Sequence, residues 1–215
     1  MERSPANGLR EAALLIQRNC GFRDTKHASQ VAGLSLSLFD QLSPLHGLAS
    51  GDRKLLEAAA LLHDVGLTRG NKGHHKASRD IIIRSRLLPL GARRRVMLGL
   101  IVRYHRKSLP RISHRYFSAL DAGSRLAVEK LASLLRFADG LDRSHRSNVK
   151  EVVCSISPHQ IAVRIKQSGT GQDDVEGGKM KADLLRRVYG KRIRIVPRPQ
   201  LPFRRYAGPE RQRLK

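Results

Sequence analysis

Ala58-Ala59-Ala60-Leu61-Leu62-His63-Asp64-Val65-Gly66 decides how this chain is read. An apolar helical run carries an imidazole and a carboxylate, side by side, to its end. Burying that pair without a partner is costly. A metal ion bridging the two side chains would offset the cost, so the question is whether other segments supply further ligands.

Working outward, apolar residues at helical spacing predict helices on both sides of this run. Leu9 to Arg18 is a short amphipathic helix after a loose start. His27 to Leu42 carries Val31, Leu34, Leu38 and Leu42. Asp52 is a candidate cap for the helix that ends in His63, and Gly66 a candidate stop. His74 to Leu87, Gly91 to Arg106 and Ser124 to Leu141 complete the helical part. The period then changes to two: Val152, Cys154 and Ile156 alternate with polar residues, as do Ile161, Val163 and Ile165, which predicts a hairpin. The Gly-rich stretch from Gly169 to Gly178 reads as a loop, Lys179 to Tyr189 as a helix and Lys191 to Val196 as a third strand. The expected fold class is mainly α: a helical bundle over 9–149, then a small α+β (strand–strand–helix–strand) unit over 150–196. The basic, proline-containing residues 197–215 read as a disordered tail.

Composition sets the outer bounds. The 215 residues are 40% hydrophobic, enough for a core, but there is no Trp, so Leu, Ile, Val and Ala must build it. Cys20 and Cys154 stand far apart in no CxxC pattern, which argues against a disulfide scaffold or zinc finger and for free thiols in a reducing cytoplasm. No signal-peptide core and no membrane span is visible. Against 18 acidic residues stand 42 Lys and Arg, a formal charge of +24. Such a balance attracts polyanions: nucleic acid, polyphosphate, nucleotides or anionic membranes. No aromatic-rich RNA-binding sheet motif accompanies it.

Three further polar residues fall on apolar stripes. His27 lies one turn before Val31, His105 four residues after Ile101, and Asp139 four after Leu135. One buried histidine is commonly satisfied by a neighbour. Here four helices each aim an imidazole or carboxylate unit inward, and that coincidence points to a divalent metal. Arg103, Arg106 and Lys107 flank His105 and are candidate phosphate-binding residues, because guanidinium groups grip phosphate in a bidentate way. Between Ile81 and Leu120 the basic residues also include Arg93, Arg94 and Arg95, which read equally well as a solvated face.

The ordered set His27, His63-Asp64, Asp139 resembles the HD phosphohydrolase superfamily. The segments His27-Ala28-Ser29-Gln30-Val31-Ala32, Ala59 to Gly66, His74-His75-Lys76-Ala77-Ser78, Arg103-Tyr104-His105-Arg106-Lys107 and Leu135 to Arg143 look like one branch of it. That branch is the C-terminal half of the exopolyphosphatase / guanosine pentaphosphate phosphatase (Ppx/GppA) family, and the likeness spans about residues 10 to 196. The resemblance implies that His27, His63, Asp64 and Asp139 bind a divalent metal (Mg, Mn, Fe, Ni or Zn). It implies that His74, rather than His75, and His105 assist with a second ion, and that Asp64 is catalytic. It departs at Leu67, a position often Lys in active members, and in lacking the N-terminal actin-like half. The expected function is a metal-dependent phosphohydrolase acting on polyphosphate or a guanosine polyphosphate. The alternative is a non-catalytic polyphosphate- or RNA-binding module. The expected partners are a phosphorylated polyanion, RNA, a separately encoded phosphatase half or a second copy of the chain.

Overall fold

A computed structural model of the protein describes residues 5–168 and 171–197. The helices are α1 (Pro5–Asn19), α2 (Thr25–Gln41), α3 (Ser43–His46), α4 (Ser50–Leu62), α5 (His74–Arg84), α6 (Ala92–Arg103), α7 (Arg115–Ser118), α8 (Ala122–Gly140), α9 (Gln172–Lys181) and α10 (Asp183–Tyr189). A 3-10 turn covers Val65–Arg69, and three strands follow the bundle: β1 (Val149–Ile156), β2 (Gln160–Gln167) and β3 (Arg192–Pro197). The protein is mainly α with a small three-stranded sheet, as the change of period predicts. Among the described residues no helix is long and apolar enough to cross a membrane.

α8 is the axis. It packs on α2, α4, α6, α9 and α10. Its C-terminal half is buried on every face, with Leu134, Leu135, Phe137 and Ala138 inaccessible. Asp121 starts it by accepting from the Ser124 amide at 2.8 Å, satisfying one of the free N–H groups of the first turn. Arg136, though buried, is paired with both oxygens of Asp183 at 2.7 and 2.8 Å and donates to the carbonyls of Tyr104 and Lys107. One side chain thereby fixes α10 and the turn after α6 to the central helix. The buried residues of bundle and sheet, from Leu38 and Leu56 to Val163 and Leu185, form one apolar cluster.

The sheet runs β1-β2-β3, with β1 antiparallel and β3 parallel to β2. Ile161, Val163 and Ile165 point inward from the middle strand. The outer edge of β1 is met by side chains rather than by another strand. Gln41 accepts from the Cys154 amide at 2.8 Å and donates to the Val152 carbonyl at 2.9 Å, and Gln30 donates to the Val149 carbonyl. Both glutamines belong to α2, so the helix that carries His27 is bonded to the sheet.

Several elements differ from the expectations. The segment read as a Gly-rich loop, 169–178, is largely α9; helix 179–189 is instead two helices meeting at Ala182. Gly177 and Gly178 lie inside α9 because it crosses α8 closely. A Cβ on Gly177 would come within 2.3 Å of the Gly140 carbonyl oxygen, and one on Gly178 within 2.6 Å of Leu141. Packing at that crossing outweighs the roughly 1 kcal/mol helix penalty of each glycine. α5 ends at Arg84, before Leu87, and α6 ends at Arg103, so His105 sits just beyond its helix. α1 starts earlier than expected, at Pro5. Asp52 is not the N-cap of α4; from three residues further on it accepts the Ala49 amide. Gly66 is not a left-handed stop but part of the 3-10 turn. Residues 198–215 lie outside the described residues.

Candidate metal centre

The end of α4 makes the first half of the site. His63 still has helical dihedrals, and its Nδ1–H donates to the Ala60 carbonyl at 2.7 Å, turning Nε2 inward. The 3-10 turn begins immediately, so Asp64 projects beside His63 instead of continuing around the helix. His27, in the first turn of α2, meets them: its Nε2 is 3.3 Å from His63 Nε2. Asp139, one residue before the end of α8, places Oδ1 3.4 Å from His27 Nε2 and 3.8 Å from His63 Nε2.

The second half comes from α5 and the turn after α6. His74 Nε2 is 3.1 Å and His105 Nε2 3.4 Å from Asp64 Oδ1. Gly66 makes this approach possible. A Cβ there would lie 2.2 Å from the His74 carbonyl oxygen and 2.5 Å from the Ser78 amide nitrogen, so only glycine lets α5 settle against the 3-10 turn. The Gly66 amide also donates to Ser78 Oγ at 2.8 Å. Two compact groups result, His27–His63–Asp64 and Asp64–His74–His105, all buried, with Asp64 common to both. The six expected ligands are thus brought together, Asp139 through its contacts with His27 and His63. His75 is buried but belongs to neither group.

The histidines are oriented by partners on their other ring nitrogens. His105 Nδ1 donates to the Val102 carbonyl at 2.7 Å and His74 Nδ1 to that of Asn71 at 3.0 Å. His27 Nδ1 donates to Asp142 Oδ2 at 2.8 Å, while Asp142 Oδ1 accepts the Ser147 amide. Anchored in this way, the rings turn their Nε2 atoms toward the centre, the nitrogens that would serve a metal. His46 is a contrast: both its nitrogens are consumed by backbone, on Phe39 O and Leu48 N, and it serves packing alone.

Electrostatics separate the members. Burial works against charging His27, but Asp139 and Asp142 prevail and raise its pKa to about 9. Burial dominates at His105 and lowers it to about 3, so it stays neutral across the physiological range. Burial also opposes ionisation of Asp64 and Asp139, yet both carboxyls are held far below the ordinary range. For Asp64 the cause is His63 first and then His74; for Asp139 it is Lys181 first and then His27 and His63. Asp64 Oδ1 is buried and accepts no hydrogen bond. It is desolvated and faced by the Nε2 atoms of His74 and His105. These groups can bind a divalent metal.

The expected phosphate-binding residues divide. Arg106 reaches the centre, with a guanidinium nitrogen 3.1 Å from His74 Nε2. Arg103 is 9% exposed, stacks 6.0 Å from the Tyr104 ring centroid and has a buried guanidinium nitrogen without a hydrogen bond. Lys107 is exposed, with a left-handed backbone (φ 59°), and its carbonyl accepts from Arg136. Arg93, Arg94 and Arg95 serve the scaffold: Arg93 pairs with Asp121, Arg94 with Asp52, and Arg95 donates to the Ser85 and Leu90 carbonyls. The sequence reading missed Asp142, which follows the expected Asp139 by three residues. It also missed Lys181, whose ammonium contacts Asp139 Oδ2.

The fold and site together define a mainly helical protein with a buried His/Asp centre suited to a divalent metal. Residues 21–172 match the family described as Ppx/GppA phosphatase, domain III, and the chain belongs to that family. The match takes in all six expected ligands and ends where α9 begins. No curated protein matches the chain.

Proposed function

We propose that this chain is a metal-dependent phosphohydrolase of the HD superfamily that acts on a phosphorylated polyanion, polyphosphate or a guanosine polyphosphate. The observation that carries the reading is Asp64: a buried carboxylate shared by two histidine groups, with an oxygen that accepts no hydrogen bond. The residues fit a metal. His27, His63, Asp64 and Asp139 would hold one divalent ion, and Asp64, His74 and His105 a second. Imidazole and carboxylate donors without thiolate suit Mg, Mn, Fe, Ni or Zn. A divalent ion, when bound, supplies Lewis acidity toward a phosphoryl oxygen and acidifies a water.

The chain's own residues do the rest. The Nδ1 anchors on Ala60, Val102, Asn71 and Asp142 fix the ring directions. His27, His63, His105 and Asp139 are themselves buried, which limits bulk water at the centre and strengthens the charge interactions there. Asp64 stays ionised and is placed to orient a nucleophilic water. Arg106, already against His74, is the group positioned to hold a phosphoryl oxygen.

The test is metal content of the purified protein together with hydrolysis of a phosphate-ester and polyphosphate panel, before and after chelation. Hydrolysis that disappears with the metal and returns on re-addition is the expected result. A protein that takes up no divalent ion overturns the reading. The net charge of +24 favours a second one: a module that binds polyphosphate or RNA, alone, as a dimer or beside a separately encoded phosphatase half. Metal uptake without hydrolysis of any phosphate, alongside tight and steeply salt-dependent polyphosphate binding, would select it.

A further inference from the structure

Asp139 uses its two oxygens differently. Oδ1 faces the Nε2 atoms of His27 and His63, whereas Oδ2 holds the ammonium of Lys181. The lysine ends α9, on the far side of the glycine crossing, and Gly140, the next residue after Asp139, lies against Gly177. It is 26% exposed at its side chain, so it reaches inward from the rim, not from the core. Arg106 makes a corresponding contact at the other group, on His74. Asp139 and His74 therefore each have one cation against them, and the two cations come from separate parts of the chain. No carboxylate other than Asp139 is paired with Lys181 among the described residues.

We propose that Lys181 is a phosphate-binding residue of the metal centre, supplied by the α+β part of the chain, which grips a phosphoryl oxygen of the substrate together with Arg106. This rests on the metallophosphatase reading and extends it to a residue beyond the family match, which ends at residue 172. Two cations that touch different members of one ligand set suit a phosphoryl group, whose charge is spread over several non-bridging oxygens. Asp139 holds the lysine at the required place while keeping its other oxygen for the metal. An ammonium one carboxylate removed from a metal repels the metal slightly and attracts an anion strongly, so the two affinities should respond to its removal in opposite directions.

The experiment compares wild type, Lys181→Met and Lys181→Arg by titrating Co2+ through its visible absorption and then inorganic phosphate into the Co2+-loaded protein. Lys181→Met should bind Co2+ at least as tightly as wild type and phosphate at least tenfold more weakly, and Lys181→Arg should return phosphate affinity to within about threefold of wild type. Phosphate affinity in Lys181→Met within twofold of wild type overturns the proposal. So does a tenfold loss of Co2+ affinity in both variants, which would make the lysine a mere support for Asp139. Failure of the wild type to take up Co2+ instead removes the metallophosphatase reading itself, and this inference with it.

Discussion

Gly66→Ala should disconnect half of the metal centre without touching a ligand. A Cβ at this position would lie 2.2 Å from the His74 carbonyl oxygen, 2.5 Å from the Ser78 nitrogen and 2.8 Å from Ser78 Oγ. Two of these atoms are backbone in the first turn or so of α5, so no side-chain rotation relieves the clash. The helix must withdraw by roughly 1 Å to restore ordinary contact, a displacement that in well-packed interiors costs about 1–3 kcal/mol. His74 rides on that turn. Ligand distances are tolerant to only about 0.2 Å, so the Asp64–His74–His105 group should lose at least tenfold in metal affinity. His27–His63–Asp64 lies on the other side of the 3-10 turn and should keep its metal. Co2+ titration and urea unfolding of the same samples measure both effects. A Gly66→Ala protein with wild-type stability and wild-type Co2+ uptake would show that α5 is not seated by this contact, and the account of how His74 is positioned would fall.

Asp64→Asn should abolish metal binding at both groups and any hydrolysis while leaving the helical circular dichroism intact, since the shape survives and the shared charge does not; hydrolysis retained at wild-type rate would have to arise elsewhere. Asp142→Asn should weaken metal binding by about 10- to 100-fold, the usual effect of losing a carboxylate behind a histidine ligand, and should lower the His27 pKa from about 9 in the metal-free protein, readable from its ring protons by NMR. Metal-free protein should be most stable near pH 6.5. The raised His27 pKa contributes stability that is complete below the unfolded value of 6.5 and is lost as pH rises through about 9, whereas the depressed His105 pKa contributes stability present above 6.5 and lost as pH falls toward about 3. Metal loading requires His27 without its proton on Nε2 and should move that optimum upward; melting curves across pH with and without metal decide it.

The residues of the centre were legible because burial of a polar group on an apolar stripe leaves a mark in the helical period. His27 before Val31, His105 after Ile101 and Asp139 after Leu135 each carry that mark, and all three lie at the centre. Lys181 carries none. It ends a helix whose glycines look like a loop, because what favours helix there is the close approach of Gly140, more than thirty residues away in sequence. Asp142 was hidden for a different reason. It stands four residues after Ala138 but past the end of α8, and only the position of His27 gives its carboxylate a purpose. The run Arg93-Arg94-Arg95 shows the reverse error to which charge counting is prone. Arg94 and Arg95 are occupied by a carboxylate and carbonyls of neighbouring elements while Arg93 stays largely exposed, so positive charge in sequence is not the same as positive charge available to a ligand.

The glutamine contacts along β1 have a consequence for association. A three-stranded sheet has two free margins, and unpaired strand margins invite other chains to add on. Gln41 occupies the Cys154 amide and the Val152 carbonyl together, imitating one residue of a fourth strand. With Gln30 on the Val149 carbonyl, that margin has little left to offer a foreign strand. The opposite margin, β3, carries exposed Arg192 and Arg194 and ends in Pro197, which has no amide proton to donate. Replacing Gln41 with leucine would leave the helix intact and strip the guard from β1, turning a closed margin into a template for aggregation.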